Sequence, residues 1–205
     1  MEVFMGIKMS DVGQLCPDVL KAYLKNYSLK LSASEIAKEV KIERRTVSRI
    51  LNKLVIFNLI NYSIQGKNKL FYFDLKKMST FSLLNLVEIN NSINFNFKNK
   101  EVSVIISKLL DFFEGIIVFG SYASSKEKDG SDLDIVLLGE KNNHILEDIK
   151  KISLIEINEH FVNYKEFKEI LKRKNPLAIE ISKNHVLFGN FSAIIKIFLE
   201  DKLNG

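Results

Sequence analysis

Gly115-Ile-Ile-Val-Phe-Gly-Ser-Tyr-Ala123 and Asp132-Leu-Asp-Ile-Val-Leu-Leu138 are the two segments on which the reading of this 205-residue chain turns. The first is an apolar run that breaks at glycine, the pattern of a buried strand ending in a turn. The second predicts another strand, in which Asp132 and Asp134 alternate with apolar residues and therefore share one face. A Gly-Ser pair at a strand end leaves backbone N–H groups and a hydroxyl at the mouth of a turn, and glycine permits close approach of a phosphate chain. Two aspartates opposite such a turn are hard oxygen ligands suited to Mg²⁺ bridging those phosphates. Neither feature alone marks a site, since an isolated Gly-Ser is usually a turn and an isolated Asp-x-Asp a solvated face. Their combination after an apolar strand is what carries meaning.

At this spacing, Phe119-Gly-Ser, ten residues, then Asp132-Leu-Asp-Ile135 resembles the signature of the polymerase-beta-like nucleotidyltransferases in their minimal form. The longer match, Val118-Phe-Gly-Ser-Tyr-Ala123 through Gly130-Ser-Asp-Leu-Asp-Ile135, makes the resemblance specific. It extends over about residues 100 to 190, because Glu156-Ile-Asn158, Tyr164-Lys-Glu-Phe167 and Val186-Leu-Phe-Gly189 look like the family's later strand, helix and closing strand. The resemblance implies an α/β domain, an antiparallel or mixed sheet backed by helices. It also implies a nucleoside triphosphate, ATP first among the candidates, bound with Mg²⁺ or Mn²⁺. Gly120 and Ser121 would hold the nucleotide, and Asp132 and Asp134 the metal, in transfer of a nucleoside monophosphate to a hydroxyl. Minimal members that modify a partner protein make protein adenylylation one version of that acceptor.

Family catalysts also carry a third carboxylate on a later strand, which completes the metal cluster and takes a proton from the attacking hydroxyl. The corresponding segment here is Ile152-Ser-Leu-Ile-Glu-Ile-Asn-Glu-His160. Alternation sends Ile155 and Ile157 to the core and Glu156 and Asn158 to the site, which makes Glu156 the candidate catalytic and metal-binding carboxylate. If Asn158 holds the family position instead, the triad is incomplete, and the domain binds nucleotide without turning it over.

Working outward, the spacing predicts a helix from about Lys100 to Phe113 with Val104, Ile105, Leu109 and Phe112 inward. Before it, residues 79–100 read as an apolar helix that decays into an asparagine-rich linker, Asn90 to Asn99. The N-terminal half predicts three helices: about Pro17 to Tyr27, a short one capped by Ser32 with Glu35, and Glu43 to Phe57. Asn58 is placed to end the third, and Leu59–Ser63 and Lys69–Phe73 read as a hairpin around Gln-Gly-Lys-Asn. This run, about residues 15 to 76, resembles a winged helix-turn-helix domain. The fold class expected is thus α+β: 1–78 a winged helix-turn-helix, 79–99 a helical connector and linker, 100–205 the nucleotidyltransferase domain.

Three of the four arginines, Arg44, Arg45 and Arg49, fall on the exposed face of the third helix with Ser48 and Lys53, and Lys67 and Lys69 sit at the hairpin. Arginine grips phosphates or donates a bidentate pair to guanine, so duplex DNA is the expected partner, as a transcription regulator would need. Charge agrees, because residues 1–78 hold 14 Lys and Arg against 7 Asp and Glu, while the remainder is slightly acidic. A palindromic target would imply a homodimer. The single cysteine, Cys16, forms no internal disulfide, and His144, His160 and His185 are too scattered for a zinc motif. No apolar run approaches a membrane span, so no membrane partner is expected. Met1 to Ser10 lacks the pattern of an export signal, and a cytoplasmic protein is expected.

Overall fold

The structure is a computed structural model that describes residues 17–140 and 143–204. Met1–Ser10, read above for an export signal, and Cys16 lie outside them. Two compact units divide the chain: one runs to Leu83 without Leu24–Asn26, the other takes that short segment with Leu84–Gly205.

In the first unit, α1 (Pro17–Leu20) passes at once into a 3₁₀ turn, Lys21–Tyr23. The predicted first helix is therefore shorter than its apolar spacing suggests. Tyr23 has a tertiary reason: it is buried, its hydroxyl donates to the Phe71 carbonyl at 2.8 Å, and its ring meets Phe73 edge-on at 4.8 Å. Burial pushes that hydroxyl's pKa up, with the Glu35 charge adding to the effect. After β1 (Leu31–Ser32), helix α2 (Ala33–Val40) begins on the Ser32–Glu35 capping box foreseen from sequence. Helix α3 (Arg44–Ile56) buries Val47, Ile50, Leu51 and Leu54. Asn58 follows it with φ 55°, the left-handed conformation that asparagine tolerates best among residues other than glycine. Strands β2 (Asn61–Gln65) and β3 (Asn68–Tyr72) form an antiparallel hairpin, and β1 joins β3, giving the order β1-β3-β2.

Helix α4 (Met78–Lys98) carries the boundary between the units and runs straight through the segment expected to be a linker. Asparagine is a poor helix former, but packing overrides it: Phe95 is buried and stacks edge-on against Phe188 at 5.7 Å. Helix α5 (Lys100–Leu110) buries Val102, Ile105, Ile106 and Leu109. Val104 and Phe112, expected inward, are 57% and 52% exposed. The helix is apolar over so much of its circumference that spacing alone left its phase undetermined.

The second unit is built on one mixed sheet, order β6-β5-β4-β7, from β4 (Gly115–Val118), β5 (Leu133–Leu138), β6 (Ile157–Val162) and β7 (Val186–Gly189). β4 is antiparallel to β5 and β7, while β5 and β6 are parallel, joined by the crossover helix α7 (Asn143–Ile152). Between β4 and β5 lies the one-turn helix α6 (Gly120–Ala123). One sheet face, with Ile116, Val118, Ile135, Leu137 and Ile157, packs on residues of α5 and α7 such as Leu109, Leu146 and Ile149. By alternation Ile117, Val136 and Leu138 take the other face, beside α8 (Tyr164–Lys172), α9 (Pro176–Lys183) and α10 (Phe191–Asn204). Both faces are covered, which explains the near-continuous apolar runs of β4 and β5.

Candidate functional site

Residues 115–123 and 132–138 meet at the C-terminal end of β4. Phe119 donates its N–H to the Asp134 carbonyl at 3.0 Å, tying the turn to β5 one pair beyond the strand ladder. Gly120 then turns with φ +69°, and a Cβ placed there would collide with the Asp134 carboxylate. Glycine is thus needed twice, for its backbone conformation and for contact with the aspartate. Gly120→Ala is expected to cost about 1–2 kcal/mol from the left-handed backbone alone, with the displaced carboxylate adding to it. Thermal melting against wild type checks this, and an unchanged midpoint would contradict it. Ser121 follows, half-buried, its carbonyl accepting from Lys126 N–H and the Ser124 hydroxyl, each at 3.0 Å. The opening amides of a helix have no intrahelical acceptor and remain available to a bound group.

Asp132 and Asp134 are half-buried, and β5 sets Asp134 on the face that Gly120 approaches. Their nearest partner comes from the parallel strand. Register pairs Asp134 with Asn158, whose side-chain nitrogen donates to Asp132 Oδ2 at 3.2 Å and to Asp134 Oδ1 at 3.4 Å. Two acceptors dictate that orientation, since only the NH₂ end of the amide can satisfy both. One carboxylate oxygen from each aspartate therefore lies close to a single point. Negative potential there is also felt by Tyr122, whose hydroxyl pKa is pushed up by burial, then by the charges of Glu127, Glu101 and Asp132.

Glu156, expected as the third carboxylate, is not brought to this pair. It precedes β6, is exposed, and holds β5 only through its carbonyl, which accepts from Leu133 N–H at 2.8 Å. Asn158 occupies the place beside the aspartates, because the strand begins at Ile157 and the register is fixed by Leu133 facing Ile157. Among the described residues no group of three or more acidic, histidine or cysteine side chains is poised to hold a metal. A divalent cation still fits the two aspartates: their oxygens converge, and they are hard donors of the kind Mg²⁺ takes.

An open polar cleft of about 900 Å³ extends from Asp134 along β6, lined among others by Glu156, Asn158 and His160. His160 is exposed, and its ring lies 6.0 Å from that of Phe119, the residue leading into Gly120. In the sequence His160 stands only as one of three histidines too scattered for a zinc motif. Its parity with Asn158 on one strand was the available signal.

Residues 100–188 match the family model described as nucleotidyltransferase domain. Comparison with curated proteins and with solved structures gives no match. The matched stretch runs from α5 into β7 and so includes the candidate site residues from Gly120 to His160.

The basic residues of the first unit are disposed differently. Arg44, Arg45, Arg49 and Lys53 are exposed on α3, Ser48 beside them is half-buried, and Lys67 is exposed at the hairpin turn. Lys69 is already engaged: its ammonium donates to Asn52 Oδ1 at 2.8 Å and sits 4.0 Å from the centre of the Tyr62 ring. It ties α3 to the hairpin, a role that a charge near a turn does not announce in sequence. No helix among the described residues is long and apolar enough to cross a membrane.

Proposed function

We propose that the nucleotidyltransferase domain binds a nucleoside triphosphate, ATP first among the candidates, through Mg²⁺ or Mn²⁺ held by Asp132 and Asp134, and transfers its nucleoside monophosphate to a hydroxyl, with a protein acceptor as one version. The observation that carries this reading is the convergence of the two carboxylates beside the Gly120 turn. Gly120 lets the triphosphate lie close to the backbone, and the amides and hydroxyl of Ser121 are suited to its oxygens. A bound cation would neutralise charge on the phosphates as pyrophosphate departs. Incubation with Mg²⁺ and each of the four ribonucleoside triphosphates, read by pyrophosphate release, tests it. No release and no metal-dependent binding by calorimetry would sink the reading.

For the first unit we infer a winged helix that docks α3 on duplex DNA, alone or as a homodimer. Exposed Arg44, Arg45 and Arg49 on one helix support it. Arg45→Ala plus Arg49→Ala is expected to weaken duplex binding and flatten its salt dependence, the slope falling by roughly one to two, with triphosphate binding untouched. Anisotropy titrations over a salt series decide this, and salt-insensitive wild-type binding would leave the helix another task.

Asn158 favours a second reading, a DNA-binding regulator whose domain senses nucleotide without turning it over. An amide accepts no proton, and it stands where the aspartates would receive a third carboxylate. Asn158→Asp is the informative variant. Pyrophosphate release appearing only in that variant would identify a disabled transferase, whereas equal release in both proteins would rule the sensor out.

A further inference from the structure

Any transfer to a hydroxyl needs somewhere for the hydroxyl proton to go. Neither aspartate is well placed if both hold a cation, and the Asn158 amide cannot accept it. We propose that His160 is the proton acceptor for the attacking hydroxyl, an inference that rests on the transferase reading above.

Three observations converge on this imidazole. Alternation along β6 puts His160 on the same sheet face as Asn158, whose partner in the register is Asp134. His160 itself pairs with Val136, so it stands one step further in along the sheet than the aspartates, while Glu156 lies on the outer side of Asn158 and precedes the strand. The Phe119 ring, 6.0 Å away and 4% exposed, shows that the imidazole leans across β5 toward the residue that opens the Gly120-Ser121 turn. His160 thus lies between the turn that would seat the phosphates and the cleft by which an acceptor enters. Being exposed, it can pass the proton on to solvent.

The chemistry balances. The acceptor oxygen forms a bond to the α-phosphorus, and the bond from that phosphorus to the oxygen bridging it to the β-phosphorus breaks, with its electron pair leaving on pyrophosphate. The O–H bond of the acceptor breaks with its electrons left on the oxygen, and its proton passes to a ring nitrogen of His160, which then releases it to water.

The test uses the full chain with Mg²⁺, the triphosphate that gives the highest pyrophosphate release, and glycerol as a hydroxyl acceptor alongside water. His160→Ala should lower turnover by about 100-fold or more, in the range expected for a general base, with triphosphate affinity unchanged by calorimetry. Added imidazole should restore much of the loss, which a merely structural role would not allow. A readout independent of turnover is the His160 ring resonance of histidine-labelled wild type, identified by its absence from the variant. It should move on adding an α,β-methylene triphosphate analogue. Normal turnover in His160→Ala, failure of imidazole to rescue it, or a resonance indifferent to the analogue would each overturn the base assignment while leaving the transferase reading in place. A wild-type protein that binds triphosphate but releases no pyrophosphate would instead end the transferase reading, and the base assignment with it.

Discussion

Asp132→Asn combined with Asp134→Asn is expected to abolish Mg²⁺-dependent triphosphate binding while the domain stays folded. Both carboxylates lie at the N-terminal end of β5, half-buried, and neither contributes to the apolar packing beneath the strand. Their main local partner is the Asn158 amide, which can rearrange its hydrogen bonds to two neutral amides. Removing two like charges that share one neighbour relieves repulsion, so the melting temperature should hold or rise. Calorimetry with and without Mg²⁺ reads the loss, which should reach the detection limit. Metal-dependent binding that survives in the double variant would place the ligands elsewhere.

Glu88→Leu is expected to destabilise the second unit by about 3–5 kcal/mol, the usual cost of removing one partner from a buried ion pair. Glu88 on α4 is fully buried and faces His185 Nε2 at 3.1 Å, while His185 Nδ1 meets the Ile181 carbonyl at 2.9 Å. Two acceptors around one imidazole call for a proton on each nitrogen, hence a cation, and the ring stacks on Phe198 at 4.9 Å. Burial lowers the pKa of His185, but the Glu88 charge and the two hydrogen bonds outweigh it and leave the pKa raised. A raised native value means that this pair's stabilisation is complete below the unfolded histidine value of about 6.5 and is lost as pH climbs through the native value. In the leucine variant the same imidazole is buried without its carboxylate, so it resists protonation. The stability gap between the two proteins should therefore be widest in mild acid and narrow in alkali. Denaturant titrations across that range measure it, and a gap independent of pH would show that the pair carries no charge.

Most of the candidate site's geometry was legible because it is local. Gly120 and the Asp132–Asp134 pair announce themselves through two short patterns, each governed by strand alternation and a turn, and the Ser32 capping box likewise depends on residues three apart. What failed depended on partners distant in sequence. Asparagines 90 to 99 read as a linker because nothing nearby shows that Phe95 will meet Phe188. Glu156 was preferred to Asn158 by residue type, whereas the outcome was set by where β6 begins and how it registers with β5. Glu88 and His185, almost a hundred positions apart, carry no joint signal at all.

The strand order has a consequence for how the domain is made. β4, which delivers Gly120 to the site, is flanked by β5 on one side and on the other by β7, so that Val118 waits for Val186. During synthesis the β4–β5 hairpin can assemble early, but one edge of β4 then stays open until most of the remaining chain has emerged. Such long-range pairing is slow, and an unpaired apolar edge invites association with other chains. β6, which carries Asn158, emerges before β7, so every residue of the cleft is made while that edge of β4 is still unpaired. None of the candidate site residues lies on β7, so substitutions along that strand should reveal themselves as poor yield of folded protein before any change at the cleft.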